Sequence, residues 1–521
     1  MCGYDIRFPK FDRFLGDTHL TLDWPIRDNT DQRELLMYWF LEKYGLPNMY
    51  RRYVHLFVNG VRRGVIYDDT QQPGADTVEE WFPEDPGGSL WKTDCWNEFD
   101  DVGNRLDPCI LNTLESFTTT GGAKKTARYR WNWRPRAVRN SANDFADLFA
   151  LVDAMNTQTD YLAQVEALVD VDHWMRTFAM NDLASFWDAF GNPNAKNTFL
   201  YKPRRDRWKL LCWDFDVGLG VFNDPPTAPL FDVNDRTVAR MYRTPAWVRR
   251  SWAALEEALN DWFQVGPGSH IDAILDTKYA AFRADGLPLA APDAIKSWIS
   301  QRRTYLLNQL KTVRADFAVL SPPSTLTTTN SPLIVRGVAP VALRTFRLNG
   351  AEQPVTWTTV TNWEMRVPLV EGPNQLSIAG FDYYGRPVGG AAQLTVTLIG
   401  TPTTPPPILI NEWMAANRSV PDSADGAFDD WFELYNPGTQ SVALAGWRLT
   451  DSLSEPARFV IPTGFVLAPL GHLTVWADGQ PQQSKPGYDL HVNFQLDRDG
   501  ELIALFAPDG QLVDLVRFGP Q

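Results

Sequence analysis

Two stretches crowded with proline, serine and threonine, SPPSTLTTTNSP at 321–332 and GTPTTPPP at 400–407, constrain the architecture of this 521-residue chain more than any other feature. Such composition offers no apolar face to bury and few backbone donors for a regular element, so both stretches read as linkers. The chain then divides into 1–320, 331–399 and 406–521. With 44% hydrophobic and 21% charged residues, each part has enough material for a core. A formal net charge of −14 disfavours nonspecific nucleic-acid binding, basic character being confined to 124–139. No run of 18 apolar residues occurs, so no membrane span is expected. The opening MCGYDIRFPKFDRF has no apolar signal core and falls at once into strand-like sequence, which leaves a longer precursor, and with it secretion, open. Cys2, Cys95, Cys109 and Cys212 lack metal-type spacing, and Cys95 with Cys109 is the one bridge they offer.

Residues 331–399 carry short alternating runs such as VTWTTV and QLTVTLIG, with turn signals at Asn349-Gly350 and Gly372-Pro373. That spacing predicts a small immunoglobulin-like sandwich, and no site stands out in it. Residues 408–521 show the same rhythm of short strands and predict a second sandwich.

The first part mixes helix and strand signals. Leu35, Leu36, Trp39 and Phe40 share a helical face, with Asp31 as candidate cap and Gly45-Leu46-Pro47 as the stop. Tyr53 to Val58, Asn59-Gly60 and Arg63 to Tyr67 predict a hairpin. From Arg128 to Arg136, arginines alternate with Tyr129, Trp131 and Trp133, which predicts a strand with an arginine face. That row could bind phosphate or an acidic substrate, but at this net charge a solvated face paired with the abundant acids is the favoured reading. The region 240–316 is helical, and His270 reads as a loop or capping residue. Chemistry concentrates at 194–220. Leu210 to Trp213 read as a buried strand ended by Gly218 and Gly220, so Asp214 and Asp216, two apart, should face one cavity where a divalent cation would offset their repulsion. A solvated turn with a capping or arginine-paired aspartate is the alternative.

The succession of Asp188 in a polar loop, Asn197 before Phe199-Leu200-Tyr201, Trp208, Trp213-Asp214-Phe215-Asp216 and Gly220 resembles the core of the CotH kinase family of atypical protein kinases. The resemblance implies ATP with Mg2+ or Mn2+ as cofactors and a protein substrate. It casts Asp188 as the residue orienting the acceptor hydroxyl, Asn197 and Asp214 as metal ligands, Asp216 as a further ligand and Lys92 as the phosphate contact. The hairpin would lie over the phosphates. One departure stands out, since Gln71 occupies the place of an expected glutamate and a neutral amide cannot ion-pair a lysine. Asp68 or Asp69 is the available substitute.

In the last part, N-E-x-x-x-x-N at 411–417, D-W-x-E-L-Y-N at 430–436 and L-x-G-W-x-L-x-D at 444–451 resemble the lamin tail domain family. The resemblance makes Trp431, Glu433, Tyr435, Asn436 and Trp447 architectural, against a cation or ligand site at Glu412, Asp430 and Glu433. The expectation is a multidomain chain: an α+β, protein-kinase-like domain, then two all-β sandwiches, immunoglobulin-like and lamin-tail. Two functions compete. One is an ATP-dependent protein kinase acting on secreted or surface proteins. The other is a noncatalytic surface or adhesion protein built on a degenerate kinase fold.

Overall fold

The computed structural model describes residues 3–9, 11–14, 18–24, 27–95, 111–137, 144–158, 161–192, 195–400, 405–453 and 455–519. Two compact units emerge, one of Met1–Val152, Asp170–Arg204 and Trp208–Thr312, the other of Asp153–Val169, Arg205–Arg207 and Val313–Gln521.

The first unit is α+β. Strands β1 (Tyr4–Arg7), β2 (His19–Asp23), β3 (Arg51–Val58) and β4 (Val61–Thr70) form an antiparallel sheet in the order β1-β2-β4-β3. Asn59 and Gly60 turn the β3–β4 hairpin at φ of 51° and 76°, as an Asn-Gly pair permits. Between β2 and β3 runs helix α1 (Arg33–Lys43), which buries Leu36, Met37, Phe40 and Leu41. Its start is held by Asp28, not Asp31: Asp28 Oδ2 accepts from the N–H of Gln32 (3.0 Å) and Arg33 (2.8 Å). Asp31 is instead drawn beside the buried Arg51 guanidinium, 3.6 Å away.

A second antiparallel sheet holds β5 (Ser89–Thr93), β6 (Trp133–Ala137), β7 (Thr198–Lys202) and β8 (Lys209–Cys212) in the order β6-β5-β7-β8. The short helix α2 (Ala75–Trp81) precedes β5. The strand predicted from Arg128 to Arg136 begins only at Trp133, because residues up to Asn132 belong to helix α3 (Thr126–Asn132). Tyr129 and Asn132, three apart, are both buried while Trp131 is 56% exposed, so the burial follows a helical period and the aromatic residues do not share a face. Further helices are α4 (Ala146–Asn156), α5 (Tyr161–Leu168), which belongs to the second unit, α6 (Val171–Ala184), α7 (Arg236–Tyr242), α8 (Pro245–Asp261), α9 (His270–Ala284) and α10 (Asp293–Leu310). Helix α6 backs β8 through the His173 Nε2 bond to the Leu210 carbonyl (2.7 Å) and Trp174 Nε1 donating to the Trp208 carbonyl (2.8 Å). His270 opens α9 directly behind the capping Ser269.

The second unit carries both sandwiches. Strand β9 (Ala318–Ser321), paired with Leu333–Val338, ends where the stretch that reads as a linker begins, and that stretch itself supplies β10 (Thr325–Thr328), parallel to the end of Pro387–Leu398. Threonine's β-branched side chain suits a strand, and Leu326 packs against the core, which the flanking prolines conceal at the level of composition. A four-stranded and a five-stranded sheet then enclose Val335, Phe346, Trp363, Ile378 and Val396. In the last module the sheet of Leu409–Met414, Asp430–Tyr435, His472–Ala477 and Leu490–His491 and the sheet of Phe459–Val460, Arg448–Thr450, Glu501–Phe506 and Leu512–Phe518 close over Phe432, Leu434, Trp447, Leu449 and Phe494. No helix among the described residues is long and apolar enough to cross a membrane.

Candidate functional site

Strands β7 and β8 pair with Thr198 opposite Cys212, so the chain ends that leave them, Asn197 and Trp213, meet, and Trp213 N donates to the Asn197 carbonyl at 2.9 Å. Asn197 and Asp214 both sit in the left-handed region, φ 54° and 57°, which asparagine and aspartate tolerate better than other side chains. In that conformation the Asn197 amide Nδ2 donates to Asp188 Oδ2 (2.9 Å) and to the Asp214 carbonyl (3.0 Å). Three of the residues singled out in the sequence are thereby tied into one buried cluster.

Asp214 and Asp216 both line one cavity of about 170 Å³, together with Asp23, Arg27, Glu34 and Arg51. Strand alternation is not the reason. Strand β8 ends at Cys212, and the positive φ of Asp214 turns the chain before Asp216. The loop is held from all sides: Phe215 N donates to Glu34 Oε1 at 3.3 Å, the Phe215 ring packs edge-on to Tyr38 and against Phe186, and Leu219 N donates to the Ala184 carbonyl at 2.9 Å. At Gly220, φ is 81° and a Cβ would stand 2.5 Å from Trp298 Cδ1, so only glycine fits.

Burial, then the charges of Glu34, Asp216, Asp23 and Asp188, raise the Asp214 carboxyl well above the usual carboxylate range. Asp216 is raised too, chiefly by burial, although Arg27 ion-pairs with it and pulls the other way. Asp216 Oδ1 is buried with no hydrogen-bond partner. Asp214, Asp216 and the amide oxygen of Asn197, whose Nδ2 is engaged twice, are oxygen donors of the kind that suits a hard divalent cation such as Mg2+ or Mn2+. The cavity has room for a cation or a phosphoryl group and falls short of a whole nucleotide.

Lys92 lies on β5 opposite Phe199, its Nζ 5.4 Å from the Trp213 ring centroid and 6.0 Å from that of Phe199. Burial lowers its pKa, partly offset by Asp94 and Asp214, the latter placing the ammonium within the electrostatic reach of the acid cluster. Gln71 does not approach Lys92 by its side chain: Nε2 donates to Glu80 (3.1 Å) and Oε1 accepts from Tyr50 N (3.1 Å). Its carbonyl instead accepts the Trp213 indole N–H at 3.0 Å. Asp68 pairs with Arg51 and Asp69 with Arg52, so neither substitutes for the expected glutamate. In the basic row, Arg134 pairs with Asp94 at 3.3 Å and Arg128 donates to the Leu111 carbonyl at 2.9 Å, while Arg139 lies outside the described residues. Cys95 is disulfide-bonded, and Cys109, the partner expected for it, lies outside the described residues.

Sequence reading overlooked Arg51, whose guanidinium meets Asp31, Glu34 and Asp68 with only 2% of its side chain exposed. The dense charge of RDNTDQRE at 27–34 was the available signal, and it reads as a solvated helix entry until β3 and β4 are folded against it.

In the last module the motif residues are spent on neighbours. Asn436 Nδ2 donates to the carbonyls of Gln440 (2.8 Å) and Ala468 (3.0 Å), and Trp447 is buried in the core. Glu433 accepts from Asn411 (2.8 Å) and pairs with His472 (2.7 Å), while Asp430 accepts from Asn417 N.

Residues 3–265 match the family described as CotH kinase protein, and residues 401–520 match the Lamin Tail Domain. No curated protein matches the chain. Among solved structures, the mixed-linkage glucan utilization locus protein SGBP-B of Bacteroides ovatus, in complex with a mixed-linkage heptasaccharide, is similar at 12% identity over 39% of this chain and 41% of its own, with a TM-score of 0.13. A DUF4876 family protein from Bacteroides thetaiotaomicron is similar at 11% identity over 32% of this chain and 63% of its own, TM-score 0.13. The fibronectin(III)-like modules of Clostridium thermocellum CbhA align at 9% identity over 39% and 94%, also at 0.13. These TM-scores are too low to assign a shared fold.

Proposed function

Since this chain belongs to the CotH kinase protein family, we propose that it transfers the γ-phosphoryl group of ATP to a hydroxyl of a secreted or surface protein, its β modules serving to bind or anchor. The reading is carried by the Asn197 amide, which fastens Asp188 to Asp214, itself one of the residues lining the acid-rich cavity. In the reaction a bond forms from the acceptor oxygen to the γ-phosphorus, the bond to the β–γ bridging oxygen breaks, the acceptor proton passes to the Asp188 carboxylate and ADP leaves. Asn197 and Asp214 would hold the metal, with Asp216 as a further ligand once Arg27 gives way, and Lys92 would contact phosphate. When bound, the metal screens the charge of the phosphates. The disulfide at Cys95 suits an oxidising, extracellular setting.

A second reading has its own support. Lys92 is placed by an aromatic face and by Asp94, and no acid of β4 pairs with it among the described residues. That arrangement fits a noncatalytic surface protein on a degenerate kinase fold. Calorimetry with ATP and Mg2+ or Mn2+ separates the two. Metal-dependent ATP binding is expected for the parent and is lost in Asp214→Ala, whereas Asp188→Ala retains binding and loses about 10²–10⁴-fold in the rate of phosphate incorporation. A parent that binds no ATP with either metal refutes the kinase reading.

A further inference from the structure

A cluster of titratable side chains lies in the lamin-tail module, apart from the acids that its sequence motifs suggest. Asp422, Asp489 and His491 are all buried, and one ligand-type atom from each lies within 4.8 Å of the others. Each has a polar atom tied to the fold, and in Asp422 and His491 a second one is buried without a hydrogen-bond partner. His491 Nδ1 bonds Asp478 Oδ2 at 2.6 Å, while Nε2, on a side chain with 0% exposure, has no hydrogen-bond partner and lies 3.7 Å from Asp489 Oδ1. Asp489 Oδ2 accepts from Ser423 Oγ (2.6 Å) and Trp476 Nε1 (3.2 Å). Asp422 Oδ1 accepts from Ala424 N (2.8 Å), and its buried Oδ2 has no hydrogen-bond partner and lies 3.7 Å from His491 Nδ1.

We propose that Asp422, Asp489 and His491 form a divalent-cation site of the zinc class in the lamin-tail module. A buried imidazole nitrogen and a buried carboxylate oxygen without partners are costly unless something electropositive reaches them, and one ligand-type atom from each of the three residues falls within 4.8 Å of the others. Asp478 plays the supporting part that carboxylates commonly play for a metal-bound histidine, fixing the Nδ1–H tautomer so that Nε2 presents its lone pair. The imidazole selects against Ca2+ and Mg2+, which prefer oxygen donors, and three protein ligands leave a position for water. The competing account is a charged imidazolium held among three aspartates.

The test uses the full chain, stripped of metal and titrated with Co2+ without nucleotide, followed by its visible ligand-field band and by displacement with Zn2+. Expected is one saturable, Zn2+-displaceable site whose intense band marks low coordination with imidazole, a spectrum that the all-oxygen cluster around Asp214 does not give. His491→Gln and Asp422→Asn should abolish the band, and Asp478→Asn should weaken affinity about 10–100-fold. A thermal melt of each variant establishes that it is folded, and Zn2+ should raise the melting temperature of the parent but not of His491→Gln. A band that survives in folded His491→Gln, no saturable uptake by the parent, or displacement by Ca2+ as readily as by Zn2+ onto Asp422, Asp425 and Asp429 each overturns the proposal.

Discussion

Arg51 is the residue on which the acids of the first unit depend. Replacing it by methionine leaves Asp31, Glu34 and Asp68 together without their cation, and unpairing a buried ion pair costs on the order of 3–5 kcal/mol. Urea unfolding of Arg51→Met should show that loss as a lowered midpoint. Asp182 gives the opposite kind of test. It accepts from Phe231 N and Tyr242 Oη, yet burial outweighs these bonds and pushes its carboxyl from 3.8 up to about 7. The folded protein therefore keeps a proton that the unfolded chain releases, and the associated stability is present below pH 4 and lost as pH rises through 7. Asp182→Asn should remove this component, flattening the stability profile between pH 4 and 8 by on the order of 2–4 kcal/mol, read from denaturant midpoints at each pH.

At the scale of elements, the turn from Asp214 to Gly220 is the most constrained segment of the site. Gly220→Ala meets both a positive φ and Trp298, and should cost about 2 kcal/mol or more. Gly45→Ala, with φ 66° and nothing within 4 Å, should cost only about 1 kcal/mol, so the difference between their unfolding midpoints isolates the steric term. Much of this was legible in the sequence where the signal is local. The Asn-Gly hairpin, the buried face of α1 around Leu36 and Phe40, and the β7–β8 pair flanking the acids each follow from spacing over a few residues. The joint placement of Asp214 and Asp216 was anticipated through strand alternation, whereas a left-handed residue achieves it. The pairing of Arg27 with Asp216, 189 positions apart, and of Phe215 with Glu34, 181 apart, leaves no trace in local spacing, so the cavity wall could not be read. Nor could α3, where alternating arginine and aromatic residues imitate a strand.

For the whole molecule, the strands at 318–328 decide where modules should be cut. We expect a fragment spanning 314–399 to unfold cooperatively and a fragment spanning 331–399, deprived of β9 and β10, to be markedly less stable in thermal melts. The fragment 405–521, which holds its own core, should likewise give a cooperative transition. Strand β10 carries a further consequence. The chain enters the immunoglobulin-like module through β9 and continues into Thr325–Thr328, which runs parallel and side by side with the exit strand Thr395–Leu398, Ile399 N being bonded to the Thr328 carbonyl at 2.8 Å. Tension along the chain therefore pulls them in opposite directions along their own length. Once β9 has come away from Leu333–Val338, the hydrogen bonds between the two parallel strands are loaded together in shear rather than peeled one at a time.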